Sequence, residues 1–517
     1  MDDEQNNKKK LSLTALILMI FTSVFGFANI ARAYYLMGYA SILWYVLAAL
    51  TFFLPFAFML SEFGAAFKDE KGGIYSWMAK SINPKFSFVG TVMWYSSNVI
   101  WMVSTGISIW IPLSNGIFGV DKTQQWSFLG LNSVQSLGLL GALWILFITF
   151  FSSKGLDKIE KVTNIGGIAV VLLNVVLISV GIFILVMNKG QMAEPLSVAK
   201  FVKSPNPDYG SIISVFSFLV FAVFAYAGLE VIGGLVDETE NPEVNFPKGI
   251  KISAIVIAAG YAIGIFIMGV FTNWSYAFTE FSEADITLGN VAYVAMNNMG
   301  YQLGVTLNLT ESVSREIGIW MGRYIGISMF LALTGSFFTL TFSPLKQLIE
   351  GTPKEIWPKK WTRIKNGLPV NAMYVQSAVV ITIILFVSFG GKSAKEFFNI
   401  LISMTNVSVS IPFMFIVIAF YGFKKNESIE KPFVIFKSKN GYKYIVVMVT
   451  FVLAFANIFT VVEPAIHGHY SETFFSMLGP IFFCSVAIIL FNRYEKKQNQ
   501  LAQESIIVPV MEDWFIN

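Results

Sequence analysis

The feature that most constrains this chain is an apolar segment that recurs from one end to the other. Such runs lie near 11–37, 41–64, 86–117, 134–152, 163–187, 210–233, 249–272, 317–345, 370–390, 395–422, 443–463 and 473–492. A hydrocarbon layer of about 30 Å is crossed by about 20 helical residues rising ~1.5 Å each, so every run is of spanning length. Of the 517 residues, 55% are hydrophobic and 13% charged, whereas a soluble domain carries about 25% charged residues. No soluble fold of this size hides so much apolar surface. The expectation is an all-α integral membrane protein with twelve transmembrane helices. No cleaved signal peptide is expected, because the first run is too long for a signal core and no small-residue cleavage site follows it.

An even number of spans places both termini on one side. Lys8, Lys9 and Lys10 precede the first span, which predicts a cytoplasmic N-terminus. On that assignment 27 Lys/Arg fall in inside segments and seven in outside ones, and Arg32 and Arg323 inside spans complete the 36. The bias supports a multi-pass protein of the plasma membrane (the inner membrane in a bacterial cell) with both termini inside. The segment 273–316 is the longest outside loop, and Val291, Val294, Ala295 and Met299 within it predict a short interfacial helix. Residues 493–517 form a cytoplasmic tail that either docks in the inner vestibule or is disordered.

Two spans carry residues that suit lipid poorly. The first reads FTSVFGFANIARA over 21–33, with Ser23, Gly26, Asn29 and Arg32 inside an apolar run. A helix interrupted at Ser23–Phe27 leaves backbone groups unpaired, so it must face protein or a water-filled cavity. Two readings are open: a binding site built on the amides of the following half-helix, or close helix packing through small residues. The sixth span reads FAVFAYAGLEVIGG over 221–234 and also has a mid-span glycine, Gly228, followed by Glu230. Paired interrupted segments at corresponding places in two halves point to an inverted-repeat transporter. The two repeats would be 11–187 and 210–422, preceded by a cytoplasmic segment 1–10. Helices 11 and 12, 443–492, would be appended before the tail.

Four segments resemble those of the amino acid–polyamine–organocation superfamily. SEFGAAFKDEKGGIYSWM, 61–78, is similar to the segment after its second helix. FAYAGLEV, 224–231, and DETENPEVNFPKGI, 237–250, are similar to its sixth helix and the following loop. GTPKEIWPKKWTRIKNGLPVNA, 351–372, resembles its loop between helices eight and nine. Within the superfamily the chain looks closest to the glutamate/γ-aminobutyrate antiporter-like branch of bacterial inner-membrane permeases, on LILMIFTSVFGFAN, 16–29. The resemblance implies a leucine-transporter-type 5+5 inverted repeat plus two extra helices, with helices 1 and 6 broken. It also implies alternating access around a site between helices 1, 3, 6, 8 and 10. By position, helix 1 would contribute Ser23, Val24, Phe25, Gly26 and Phe27, and helix 6 Phe224, Tyr226, Ala227 and Gly228. Ser97, Asn98, Trp101 and Met102 would face them from helix 3, with Phe337 as a gate on helix 8. Relatives pack small residues around the helix-1 break, whereas Phe25 and Phe27 flank Gly26 here. Bulk at the break would argue against a large or dicarboxylic substrate.

Charges within or at the edge of spans are costly and face the protein interior. Glu62 is expected to be structural, tied to the loop it introduces, and Arg323 to snorkel near the outer end of span 8. Arg32 would either line the outer vestibule and attract an anionic group or pair with a loop acid. Glu230 would either exchange protons or hold helix-1 backbone exposed at the break. His467 and His469 share one connecting loop and read as solvated, since two ligands make a weak metal site.

The single cysteine, Cys484, forbids an intrachain disulfide. With no histidine in a span, no nucleophile–base set of a membrane enzyme is visible. No cofactor, metal or nucleic-acid partner is expected, the net charge of +4 reflecting topology. The partners expected are a small-molecule amino acid substrate and the lipid bilayer, for a monomer or homodimer. The function predicted is a secondary active amino acid (or related amine) transporter, an antiporter by resemblance. A proton-coupled symporter and a non-transporting amino acid sensor are the alternatives.

Overall fold

The computed structural model describes residues 11–512 apart from 71–72, 155, 237–238, 281–285, 366–367 and 391–393. Lys8, Lys9 and Lys10, the acids Asp237 and Glu238 of the third motif, and the last residues of the tail lie outside the described residues. The described chain is helical, without a named strand. In chain order the main helices begin with α1 Leu13–Val24, α2 Phe27–Met37, α3 Ala40–Ala66, α4 Gly73–Ser81 and α5 Pro84–Phe118. They continue with α6 Ser133–Ser152, α7 Leu156–Met187, α8 Ile212–Ala225, α9 Pro242–Phe271 and α10 Val291–Thr306. The series ends with α11 Glu311–Leu340, α12 Ser343–Gly351, α13 Val370–Gly390, α14 Ala394–Lys425, α15 Lys439–Ile466 and α16 Tyr470–Glu512.

Eleven helical segments among the described residues are long and apolar enough to cross a membrane. The first apolar run is the one not counted: it forms two helices of 12 and 11 residues, each too short to span alone. Helix starts follow local chemistry. The Ser12 side chain accepts the Ala15 N–H at 3.3 Å and Asn83 that of Phe86 at 2.8 Å, while Asn132 and Gln135 form a reciprocal capping box. Each cap satisfies a donor that the first helical turn leaves free.

One continuous core runs through the bundle, in which aromatic rings from distant helices interlock. The helix expected in 273–316 is α10, with Val291, Ala295 and Met299 buried and Val294 half-buried. Its buried face packs against protein, where small residues let it press against α11. A Cβ at Gly304 would fall 2.6 Å from the Ser314 hydroxyl. The backbone of the tail continues α16 as helix through Glu512, and the end of its apolar patch, 513–517, lies outside the described residues.

Candidate functional site

The two glycine-bearing interruptions meet inside the bundle. α1 ends because Phe25 (φ −78°, ψ 99°) and Gly26 (φ −95°, ψ 112°) are extended, and α2 starts at once from Gly26. α8 ends at Ala225, and a turn through Tyr226–Gly228 leads into a 3-10 helix, Leu229–Leu235. Gly228 has φ +107°, and a Cβ there would lie 2.7 Å from the Ser23 carbonyl oxygen. Backbone conformation and close approach therefore both require glycine.

One side chain serves both interruptions. The Tyr261 hydroxyl of α9 accepts the Gly26 N–H at 2.8 Å. It also lies 2.7 Å from the Ala225 carbonyl and 3.1 Å from that of Val24, which share its single proton. Backbone groups that lipid could not satisfy are thus paired within protein. Sequence reasoning missed Tyr261; the available signal was a tyrosine in an apolar span between Gly260 and Gly264.

The residues expected at the site separate into groups. The Ser23 hydroxyl bonds back to Met19 O at 2.7 Å. Val24 and Phe27 are buried in the core. The Phe25 ring stacks on Phe21 (centroids 4.8 Å apart) and packs tilted on Tyr261 (4.6 Å), close over Gly260. α9 thus packs directly on the Phe25 ring beside the interruption. The Tyr226 hydroxyl donates to Tyr45 O at 3.1 Å, and the Ala227 N–H to Phe224 O at 2.9 Å.

On α5, the Ser97 hydroxyl and the Asn98 amide both donate to Trp94 O, at 2.6 and 3.2 Å. Trp101 meets Phe337 with ring centroids 5.1 Å apart. Met102 faces α13, its sulfur 3.5 Å from Gln376 Nε2, so it packs between helices.

Glu230 is 6% exposed and folds back on its own segment. Its carboxylate accepts the Gly228 N–H at 3.1 Å, and the Trp94 indole hydrogen-bonds it. The backbone it holds belongs to the second interruption, not to helix 1.

Glu62, 0% exposed, pairs with Lys424 of α14 at 2.8 Å and accepts the N–H groups of Ile435 and Phe436 at 2.8 and 2.9 Å. It is structural, yet tied to the segment after α14 and not to the loop it introduces. Arg323 lies over the exposed ring of Trp320, its guanidinium carbon 4.7 Å from the ring centroid. Arg32 donates from Nε to Leu288 O at 2.8 Å.

A cavity of about 680 Å³ opens at the end of the bundle formed by Leu36, Tyr209, Ile286 and the α15–α16 turn. His467 and His469 line it together with Asp208, Glu463 and Glu472, so the histidine loop is a cavity wall and not merely solvated. Next to the first interruption lies a pocket of about 10 Å³, room for one water-sized sphere, lined by Asn29, Arg32, Tyr45, Phe221, Phe224 and Ile402.

At the opposite end several contacts join the helices. Lys68 pairs with Glu243, Trp77 covers Gly233, and Leu11 bridges to Thr239. The Lys68–Glu243 pair joins two of the four sequence motifs, 61–78 and 237–250.

The sequence as a whole decides the family. A model of amino acid permeases matches residues 11–491. The chain belongs to the amino acid permease family. This permease is 49% identical to the inner membrane transporter YjeM of Escherichia coli (strain K12), over 94% of its own length and 96% of the relative's. It is 23% identical to the aspartate/glutamate permease AcaP of Lactococcus lactis subsp. cremoris (strain MG1363), over 80% of this chain and 79% of that one. It is 21% identical to a glutamate/gamma-aminobutyrate antiporter of Lactococcus lactis subsp. lactis (strain IL1403), over 95% and 91%. The permease is therefore a multi-pass membrane protein of the amino acid–polyamine–organocation superfamily, similar to the glutamate/γ-aminobutyrate antiporter branch.

Proposed function

We propose that this permease is a secondary active transporter that moves amino acids, or a related amine, across the plasma membrane by alternating access, as an antiporter. The observation that carries this reading is the meeting of the Val24–Phe27 and Ala225–Gly228 interruptions inside the bundle, with Tyr261 between them. Irregular backbone at membrane depth belongs where it lines a site, and the first turn of α2 offers amides and a positive dipole end to a carboxylate.

In this reading 11–187 and 210–422 are inverted five-helix repeats, the interruptions are their corresponding first helices, and 443–492 adds two helices. Both termini are cytoplasmic, and the unit is a monomer or homodimer. The substrate carboxylate lies at Ser23–Phe27 under Phe224, with Asn98, Trp101 and Phe337 on the facing wall and Glu230 as scaffold. A cavity at one end and an ion pair, Lys68–Glu243, joining helices at the other fit one half of an alternating-access cycle. The names of the Lactococcus relatives, an aspartate/glutamate permease and a glutamate/gamma-aminobutyrate antiporter, support amino acid exchange.

Counterflow in proteoliposomes tests this. Unlabelled internal amino acid should accelerate uptake of the labelled external one. Flux without such stimulation would indicate a channel, and binding without flux a sensor. Uptake driven by a pH gradient into empty vesicles would replace exchange by proton symport.

A further inference from the structure

Resting on the transporter reading, we infer that Arg32 is the counter-cation for the carboxylate of the substrate. The substrate class is then zwitterionic amino acids, to the exclusion of the bare amines left by their decarboxylation. Arg32 is part-buried on α2, one turn from Asn29, and both side chains line the small pocket beside the first interruption. Its Nε is committed to Leu288 O. Among the described residues no carboxylate pairs with it, and the charged or ionisable neighbours it feels are the phenols of Tyr45 and Tyr293.

A part-buried guanidinium with no counter-charge is costly unless a partner arrives. Its remaining N–H groups form the planar fork that fits a carboxylate with two parallel hydrogen bonds. An ammonium placed beside it would be repelled. The acids of the neighbouring loop, Glu283 and Asp285, lie outside the described residues, and the test below separates their pairing with Arg32 from this assignment.

Two further observations fit a ligand carrying both charges. Asn406 of α14 is 1% exposed, and neither its amide nitrogen nor its amide oxygen has a hydrogen-bond partner. It lies one helical turn from Ile402, which lines the same pocket as Arg32, so it shares that face of α14. A buried amide open at both ends suits a group that donates and accepts. The larger cavity carries Asp208, Glu463 and Glu472 beside His467 and His469, with His467 3.5 Å from Glu463, a wall whose acids outnumber its histidines and favour an ammonium group during entry. Acids on the larger cavity and Arg32, whose contact Leu288 lines that same cavity, offer one ligand partners for both its ammonium and its carboxylate.

The test uses the full-length purified protein and ligand-induced thermal stabilisation. Neutral, acidic and basic amino acids are each compared with their decarboxylation products, for example arginine with agmatine and ornithine with putrescine. At least one amino acid should stabilise the wild type, and its decarboxylated partner should not at tenfold higher concentration. Arg32→Gln should weaken the amino acid by about 30-fold or more, the loss expected when a desolvated charge partner is removed, and Arg32→Lys should recover part of it. Asn406→Leu should weaken binding as well.

The wild-type comparison needs no variant, so a misfolded mutant leaves it intact. An amine that binds as well as its parent amino acid overturns the inference. So does Arg32→Gln that lowers unliganded stability but leaves affinity unchanged, as pairing with a loop acid would give. In both cases the transporter reading stands if counterflow is seen. If no amino acid binds or exchanges, both readings fall.

Discussion

Gly228 and Ser23 touch across the two interruptions: a Cβ on Gly228 would sit 2.7 Å from the Ser23 carbonyl oxygen, at a φ of +107°. The first half of the chain is thereby docked on the second through bare backbone. Gly228→Ala should cost about 1–3 kcal/mol from the left-handed conformation alone, with the contact to Ser23 adding to it. The expected outcome is a lowered melting temperature and loss of substrate binding. A variant with wild-type stability and affinity would show that the two interruptions do not depend on each other.

Tyr261→Phe keeps the ring, and hence its 4.6 Å packing on Phe25, but deletes the hydroxyl shared by Gly26 N, Ala225 O and Val24 O. Leaving a buried polar group unpaired costs about 1–3 kcal/mol. Binding should fall together with stability, since the freed groups are the backbone of the site. Calorimetric titration alongside thermal unfolding checks this, and undiminished affinity would remove Tyr261 from the site's architecture.

Glu62 and Lys68 lie on one motif yet should respond differently. Glu62→Gln strands Lys424, whose side chain is 6% exposed, and breaking a buried pair costs about 3–5 kcal/mol. Poor folding is expected, visible as low yield of monodisperse protein. Lys68→Met removes an exposed pair with Glu243 at the end opposite the large cavity. Stability should hardly change, while a cysteine reporter at that end should become more accessible to a soluble thiol reagent. Unchanged accessibility would mean the pair does not hold the closure.

Glu230 caps the Gly228 N–H, a role that glutamine can take over. Glu230→Gln should retain exchange with an unaltered pH profile, whereas Glu230→Ala should lose activity by leaving that donor unpaired. Exchange measured across a pH series decides it: a pH response abolished by glutamine would make this carboxyl the proton site.

Phe224 lines the small pocket, and Phe337 is wholly buried against Trp101. Phe224→Ala should weaken substrate binding with modest loss of stability. Phe337→Ala should destabilise by about 3–5 kcal/mol as a large-to-small core change. Comparing melting temperatures of both variants with and without substrate separates ring from gate.

The amino-acid sequence by itself determined the membrane class, the positions of the apolar runs, the two mid-span glycines and the family. These are local or compositional properties: spanning length, apolar content and a missing Cβ are each written in one segment. It did not determine what the interruptions rest on. Tyr261 is 235 residues from Gly26, and Lys424 is 362 residues from Glu62. No periodicity within a segment encodes such pairings. The direction of the Phe25 ring at the interruption is set by α9, where Gly260 leaves room for it. Asn406 read as one polar residue among many in its span, since only packing reveals that both ends of its amide are buried and unpaired. Apolar transfer free energy is additive along the chain and can be read in one dimension. Hydrogen-bond satisfaction depends on which helices become neighbours, and the tertiary structure alone decides that.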